Sequence, residues 1–310
     1  MDSRFKIIFK CITGSKLYGT DTLESDEDIR GVFIPTKEFY LGFLNKVEQV
    51  ESHVPDETFW EISKFFRLCI DNNPNILELL FVPLFSKYDL YHTEEWEKII
   101  LNRNLFLSTK AQHTFSGYAF SQLHRIKQHR EWLLNPSKKH PERKDFGLPE
   151  TNVVTRDQLN AYEELKNIGE SNYVFTEQLL DVLHREKAYV NAMKYWDNYQ
   201  AWQKNRNLVR AKKEGKFGYD VKHASHLFRL ISEGKELLLT GKITFPRPDA
   251  KELLDIRNGK YSYNELMEKI SDIETVFKEY AKKAILPHSP NIKAAGLLCQ
   301  ELIENRIKEL

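Results

Sequence analysis

Near the N-terminus, apolar and polar residues follow the period of strands. Phe5–Thr13 (FKIIFKCIT) is a β-rich run ended by Gly14, and Asp28–Pro35 (DIRGVFIP) is a second, closed by its proline. The intervening GSKLYGTDTLES predicts one short turn of helix and then a loop. Residues 44 to 54 (LNKVEQVESHV) alternate well enough for a third strand, which Pro55 closes. Helical spacing then takes over. Thr58 with Glu61 three residues later reads as a capping box in front of a helix over 59 to 70. Asn73-Pro74-Asn75 stops that helix and opens the next, ILELLFVPLF. Further helical patterns cover residues 109 to 134, 157 to 166, 176 to 203, 223 to 239 and 263 to 283. Residues 135 to 149 (NPSKKHPERKDFGLP) have no period and predict a linker or substrate loop. The whole pattern predicts an α+β protein, with a small mixed β-sheet flanked by helices and a mainly helical C-terminal half. The boundary is expected at 108/109.

Composition narrows the function classes. The 310 residues are 41% apolar, enough for a substantial core. With 46 basic against 45 acidic residues the net charge is +1, so no global field draws polyanions, and a nucleic acid would have to be held by local patches. Cys11, Cys69 and Cys299 are odd in number and widely spaced, which argues against a disulfide framework or a structural zinc site. The opening MDSRFKIIFK places charges where a leader would be apolar, and no run approaches a membrane span. A soluble cytoplasmic protein without a membrane partner is expected.

Candidate chemistry concentrates in Gly14, Ser15, Asp26 and Asp28. If the chain is extended from position 26 to 34, Asp26, Asp28 and Arg30 share a face while Ile29 and Phe33 point into a core. Two carboxylates that close are costly unless a cation neutralises them, and magnesium or manganese suits such a pair. Gly14-Ser15, after the first strand, offers backbone N–H groups and a hydroxyl to phosphate oxygens. Read alone, Ser25-Asp26-Glu27-Asp28 is equally a solvated acidic turn, and Gly14 and Gly19 are equally turn residues.

The full string GSKLYGTDTLESDEDIRGVFIP resembles the DNA polymerase β-like nucleotidyltransferase superfamily, and within it the RNA-repair-pathway polymerase β family, in which a GSxxYG…SDxDxRG pattern recurs. The resemblance implies a nucleotidyltransferase core over residues 1 to 108 and places Tyr18, Gly19, Ser25, Arg30 and Gly31 near the pocket. It also implies a third metal-binding carboxylate. Asp56, Glu57 and Glu61 are the candidates, and Glu61 has a competing local role as capping partner. The stretch DETFWEISKFFRLCIDNNPNILELLF is similar to the family's corresponding segment; that similarity picks Asp56, matches Lys64 to the family lysine and leaves Glu78 as a support near the site.

A second stretch, YDVKHASHLFRL, places Lys222, His226 and Arg229 on one helical face, with Leu227, Leu230 and Ile231 on the buried one. Three cations in line suit a triphosphate; the bland reading is a polar face in water. The stretch resembles the family's C-terminal half, continuing through KITFPRPDAKELLDIRNGKYSY, and this implies nucleotide contacts from Lys222 and His223, with His226 and Arg229 beside them. His124, Arg125, Lys127, His129, Arg130, Lys138, Lys139, Arg143 and Lys144 form the most basic local region, interleaved with Phe115, Tyr118 and Trp132. Aromatics among cations suit single-stranded nucleic acid, and they suit helix packing equally.

Together these readings predict a magnesium- or manganese-dependent nucleotidyltransferase. Asp26, Asp28 and Asp56 hold the metals, and Gly14, Ser15, Tyr18, Arg30, Lys222, His223, His226 and Arg229 hold a nucleoside triphosphate. The expected acceptor is the 3′ end of an RNA, such as a tRNA; the alternatives are a protein hydroxyl, or a non-catalytic nucleotide or RNA sensor. Oligomeric state is not legible.

Overall fold

The computed structural model describes residues 4–23, 25–43, 46–168, 176–270 and 273–309. Among the described residues there are five strands: β1 (Phe5–Thr13), β2 (Asp28–Pro35), β3 (Gln49–His53), β4 (Asp56–Glu61) and β5 (Asp89–His92). The helices are α1 (Gly14–Tyr18), α2 (Glu38–Leu41), α3 (Ile62–Ile70), α4 (Pro74–Leu77), α5 (Glu94–Leu101), α6 (Ala111–Leu134), α7 (Arg156–Ile168), α8 (Glu177–Lys204), α9 (Leu208–Phe217), α10 (Val221–Thr240), α11 (Ala250–Arg257), α12 (Tyr263–Ile270), α13 (Ile273–Lys282) and α14 (Ile292–Lys308). The protein is α+β: one mixed sheet near the N-terminus and a helical C-terminal half.

The chain divides into two compact units. The first joins residues 1–127 to 219–310, and the second is 128–218. The chain from position 219 onward therefore returns to the unit that holds the sheet, and position 108 lies inside that unit.

In the first unit the strand order is β3-β4-β2-β1-β5. β1 is antiparallel to β2 and β5, β2 runs parallel to β4, and β3 and β4 form an antiparallel hairpin. Strand alternation sorts side chains onto two faces. Ile29, Phe33 and Phe59 cluster on one, with Phe5, Ile7, Val47 and Val50 packed against them. The even-numbered residues of β2 and β4 take the other.

The hairpin departs from the sequence reading. Residues 56 to 61 are strand, not the entry to a helix, and Thr58 is a ladder residue opposite Glu51. Helix α3 begins at Ile62, and Glu61 itself is the N-cap, its side chain accepting from the Lys64 backbone N–H at 3.0 Å. A carboxylate at the cap satisfies an orphan donor just as a hydroxyl does, so the capping motif sits three residues later than its pattern suggested. The expected third strand begins at Gln49, and positions 44 and 45 of that expectation lie outside the described residues. Asn73 caps α4 with Pro74 in its first turn, as its sequence predicts, but the helix tightens at Glu78 into a 3₁₀ turn. Patterned helices recur with small boundary shifts: Thr176 caps α8, and the 223 to 239 pattern lies within α10, capped by Asp220. The 263 to 283 pattern appears as α12 and α13, with positions 271 and 272 outside the described residues.

In the second unit the segment 135 to 149 carries a 3₁₀ turn, Arg143–Phe146, closed by a reciprocal Glu142/Asp145 capping box. Arg143 pairs with buried Glu186 of α8, which ties the segment down. Trp132 is 4% exposed and packs against Tyr195, Tyr199 and Trp202, giving this unit an aromatic core.

Candidate active site

A cavity of about 540 Å³ in the first unit opens onto the polar face of the sheet. Gly14 and Ser15 line it from the turn after β1, Asp28 and Arg30 from β2, and Thr58 and Trp60 from β4. Gln49 and Glu51 join from β3, and Lys222, Ser225, His226 and Arg229 from α10.

The turn after β1 is shaped to admit a carboxylate. Gly14 has φ +66°, and a Cβ placed there would lie 2.0 Å from Asp28 Oδ2. Glycine is required twice, for the left-handed backbone and for the contact. Thr13 Oγ1 donates to the Asp28 carbonyl at 3.1 Å, locking the turn to the start of β2. Burial pushes the Asp28 carboxyl above its usual range; Arg30 pulls it down, and Asp56, whose carboxyl it meets, pushes it back up.

The register explains that meeting. β2 and β4 pair from Ile29 and Glu57 onward, so Asp28 and Asp56 both precede the first pair on the same face. Arg30 Nη1 donates to Asp56 Oδ1 at 3.0 Å. Glu57 is on the opposite face, where it pairs with Lys10 at 3.0 Å. Glu61 is buried and occupied, accepting from Tyr40 Oη at 2.7 Å and Ser63 Oγ at 2.9 Å. Of the three candidate third carboxylates, geometry therefore brings Asp56 beside Asp28.

Asp26 is exposed in the loop before β2, which starts at Asp28, and it is not among the residues that line the cavity. Glu27 between them pairs with Lys16 at 2.7 Å, tying that loop to α1.

Helix α10 also differs from the expected two-faced cylinder. Lys222 is exposed and lines the cavity, as does His226. His223 turns from the cavity lining, its Nδ1 2.7 Å from Gln122 Oε1. Arg229 lines the cavity but is 4% exposed and held by Glu78 and Glu233, so it is not a free cation on a polar face. Ile231, assigned to the buried face, is only half-buried. The Arg229 guanidinium also covers the ring of Tyr18 at 4.3 Å, and Tyr18 Oη donates to Glu78 Oε2 at 2.7 Å. Arg247 extends the network to Glu236 at 2.5 Å and Asp249 at 3.2 Å. Glu78 is thus the support near the site that its segment implied, and Tyr18 is anchored beside the cavity. Burial pushes the Glu233 carboxyl up, to about 8, against the pull of Arg229 and Arg247.

In the basic region, His124, Arg125 and Lys127 are exposed on α6. The interleaved aromatics are not: Phe115 is fully buried and the Tyr118 hydroxyl accepts from Asn73 at 2.8 Å. Lys139 pairs with Asp145 and Lys144 with Glu142. The rings are packing residues, the plainer of the two readings of that pattern. Sequence reasoning missed Gln49, Glu51, Trp60, Asn75, Ser225, Leu253 and Arg257 in the cavity. The alternation of the β3–β4 hairpin was the signal for the first three.

A small mixed sheet has Gly-Ser after its first strand and aspartates at the starts of two parallel neighbours, the elements that carry the resemblance in the sequence. Residues 1–141 match the model of the RNA repair pathway DNA polymerase beta family. That segment holds the sheet, and the match supports a nucleotidyltransferase-like role. The chain is also similar to the uncharacterized 38.9 kDa protein in the nrdC-mobD intergenic region of Enterobacteria phage T4, 25% identical over 302 residues, covering 86% of this chain and 87% of that one. It is 32% identical to the uncharacterized protein YcgL of Bacillus subtilis over 78 residues, 24% of this chain and 30% of that one. No solved structure matches. Among the described residues no helix is long and apolar enough to cross a membrane.

Proposed function

We propose that this chain transfers a nucleoside monophosphate from a nucleoside triphosphate to an acceptor hydroxyl at the 3′ end of an RNA. The observation that carries the reading is the pair Asp28 and Asp56, two carboxyls held against each other, of which Asp28 lines the cavity with Gly14, Ser15 and Lys222. Two carboxylates so placed need a proton or a cation between them, and an all-oxygen donor set suits magnesium or manganese. Asp28 and Asp56 would hold the metal, with Asp26, two residues before Asp28, as a further ligand from the loop that leads into β2. The metal would neutralise charge on the phosphates and lower the pKa of the attacking hydroxyl.

The chain's own groups divide the remaining work. Ser15 and Lys222 bind the β- and γ-phosphates, with His226 alongside, and the Gly14 turn keeps Asp28 in place. The acceptor oxygen bonds to the α-phosphorus as the bond from that phosphorus to the bridging oxygen breaks, and pyrophosphate departs with the electron pair. Asp56, on the strand away from the phosphate turn, takes the hydroxyl proton. Tyr18, Glu78 and Arg229 position the turn from beneath.

The test supplies the full chain with magnesium, each α-labelled nucleoside triphosphate in turn, and separate pools of RNA and cell protein. Label on RNA that vanishes with Asp28→Asn supports the proposal. Label on protein only replaces the acceptor, and label on neither contradicts the transferase reading.

A further inference from the structure

The cavity has two unlike sides. Toward β1 and α10 it presents Gly14, Ser15, Lys222 and His226, groups suited to phosphate. On the far side of β2 it is walled by the β3–β4 hairpin, whose cavity-lining residues are Gln49, Glu51, Thr58 and Trp60. The side chains with which that wall lines the cavity are an amide, a carboxylate, a hydroxyl and a half-buried indole, with Arg30 of β2 opposite Thr58, so it offers hydrogen-bonding groups and an indole where the other side offers Lys222 and the Gly-Ser turn.

The wall is ordered by the ladder. Thr58 stands opposite Glu51 and Trp60 opposite Gln49, each pair spanning the two strands. Lys64 Nζ donates to Gln49 Oε1 at 2.8 Å, which fixes the amide orientation, and Gln49 Nε2 then donates to the Glu51 carboxylate. The family-matched lysine thus holds a polar edge in place. Trp60 lies four residues along β4 from Asp56, about 13 Å at strand rise, a distance on the scale of a nucleotide.

We infer that the β3–β4 wall is the acceptor subsite, and that it recognises a nucleobase near the acceptor's 3′ end by stacking on Trp60, with Gln49, Glu51 and Thr58 along the base edge. The inference rests on the nucleotidyltransferase reading, which puts the triphosphate on the β1 side and leaves the Asp56 side to the acceptor. Indole faces stack every base, while carboxylate and amide groups hydrogen-bond base edges. A protein hydroxyl needs neither feature, so the wall favours a nucleic-acid acceptor.

The experiment measures binding apart from turnover. A 5′-fluorescein-labelled RNA pentamer ending in a 3′-deoxynucleotide is titrated against the full chain without nucleoside triphosphate, and ATP affinity is read separately by competition with a fluorescent ATP analogue. Trp60→Ala is expected to weaken RNA binding about fivefold to a hundredfold. Trp60→Phe should restore most of it, with ATP affinity unchanged in both. Unchanged RNA affinity in Trp60→Ala overturns the inference, as does a parallel loss of ATP affinity, which would assign the ring to the incoming base. If Trp60→Ala does not fold, Trp60→Leu keeps bulk without an aromatic face; a comparable loss supports the subsite and no loss overturns it. Transfer of label to protein by a chain that binds no RNA overturns the subsite and leaves the transferase standing. Loss of RNA binding in Trp60→Ala with no label transfer by the unaltered chain overturns the transferase instead.

Discussion

Two clusters of charge border the same cavity and differ in almost every respect. Beneath it, Glu78, Arg229, Glu233 and Arg247 are each 5% exposed or less, and every carboxylate has a guanidinium neighbour. On its sheet side the Asp28 and Asp56 carboxyls meet, Arg30 pairs with Asp56 and also pulls the Asp28 carboxyl down, and the Asp56 side chain is 51% exposed. The first cluster sets each carboxyl beside a guanidinium, and burial holds its Glu233 carboxyl toward the neutral form. The second is a pair of carboxyls pressed against each other, a contact that a bound cation would relieve. Carboxylates thus sit in a closed ion network in one place and in an open pair in the other.

The largest effect is expected at the buried network. Glu78→Ala should cost about 3–5 kcal/mol in denaturant unfolding, because it leaves Arg229 buried with one partner fewer and Tyr18 without its acceptor. A loss below about 1 kcal/mol would mean the network is not what holds α10 to the site. Gly14→Ala is expected next: its Cβ meets Asp28 Oδ2 in a left-handed backbone, so transfer should fall about a hundredfold from displacement of the carboxylate. Stability should drop by about 1–3 kcal/mol in the same variant. Normal activity would show that the Asp28 position is not critical.

A pH series sharpens the contrast. The folded-state pKa of Glu233 is raised from 4.5 to about 8, so the folded protein holds that proton more tightly than the unfolded chain does. Its stabilising effect is full below the unfolded value and is lost as pH rises through about 8. Thermal unfolding of the unaltered chain should therefore decline across that window more steeply than that of Glu233→Gln. Equal slopes would show that Glu233 is ionised throughout. The smallest effect belongs to Arg30→Ala: the exposed pair with Asp56 should contribute under about 1 kcal/mol to stability. A cost above about 2 kcal/mol would move Arg30 into the scaffold.

Much of the fold and part of the site are legible in the order of the amino acids. The strands β1 and β2, the Gly-Ser turn and Asp28 follow from period-2 patterning and one specific motif, and the family match covers the same residues. Features that depend on partners distant in sequence are not legible in this way. Thr58 and Glu61 fit a capping box locally, but pairing with β2 and β3 draws residues 56 to 61 into the sheet and shifts the helix start to Ile62. That one shift hides Trp60 and the cavity face of the hairpin. Arg229 looks like a cation in water because its helix spacing matches Lys222, whereas Glu78, 151 positions away, makes it a buried partner. Asp26 precedes β2 by two residues, so strand alternation alone does not place it beside Asp28.

Whether Asp28 and Asp56 await a cation decides between chemistry and scaffold at the cavity mouth. Manganese binding followed by electron paramagnetic resonance tests this directly, using the full chain, Asp28→Asn and Asp56→Asn, each with and without a nucleoside triphosphate. Both substitutions should weaken manganese binding at least about tenfold while thermal unfolding stays close to that of the unaltered chain. Equal manganese affinity in all three proteins would contradict the account and make the acidic pair a structural feature of the sheet edge.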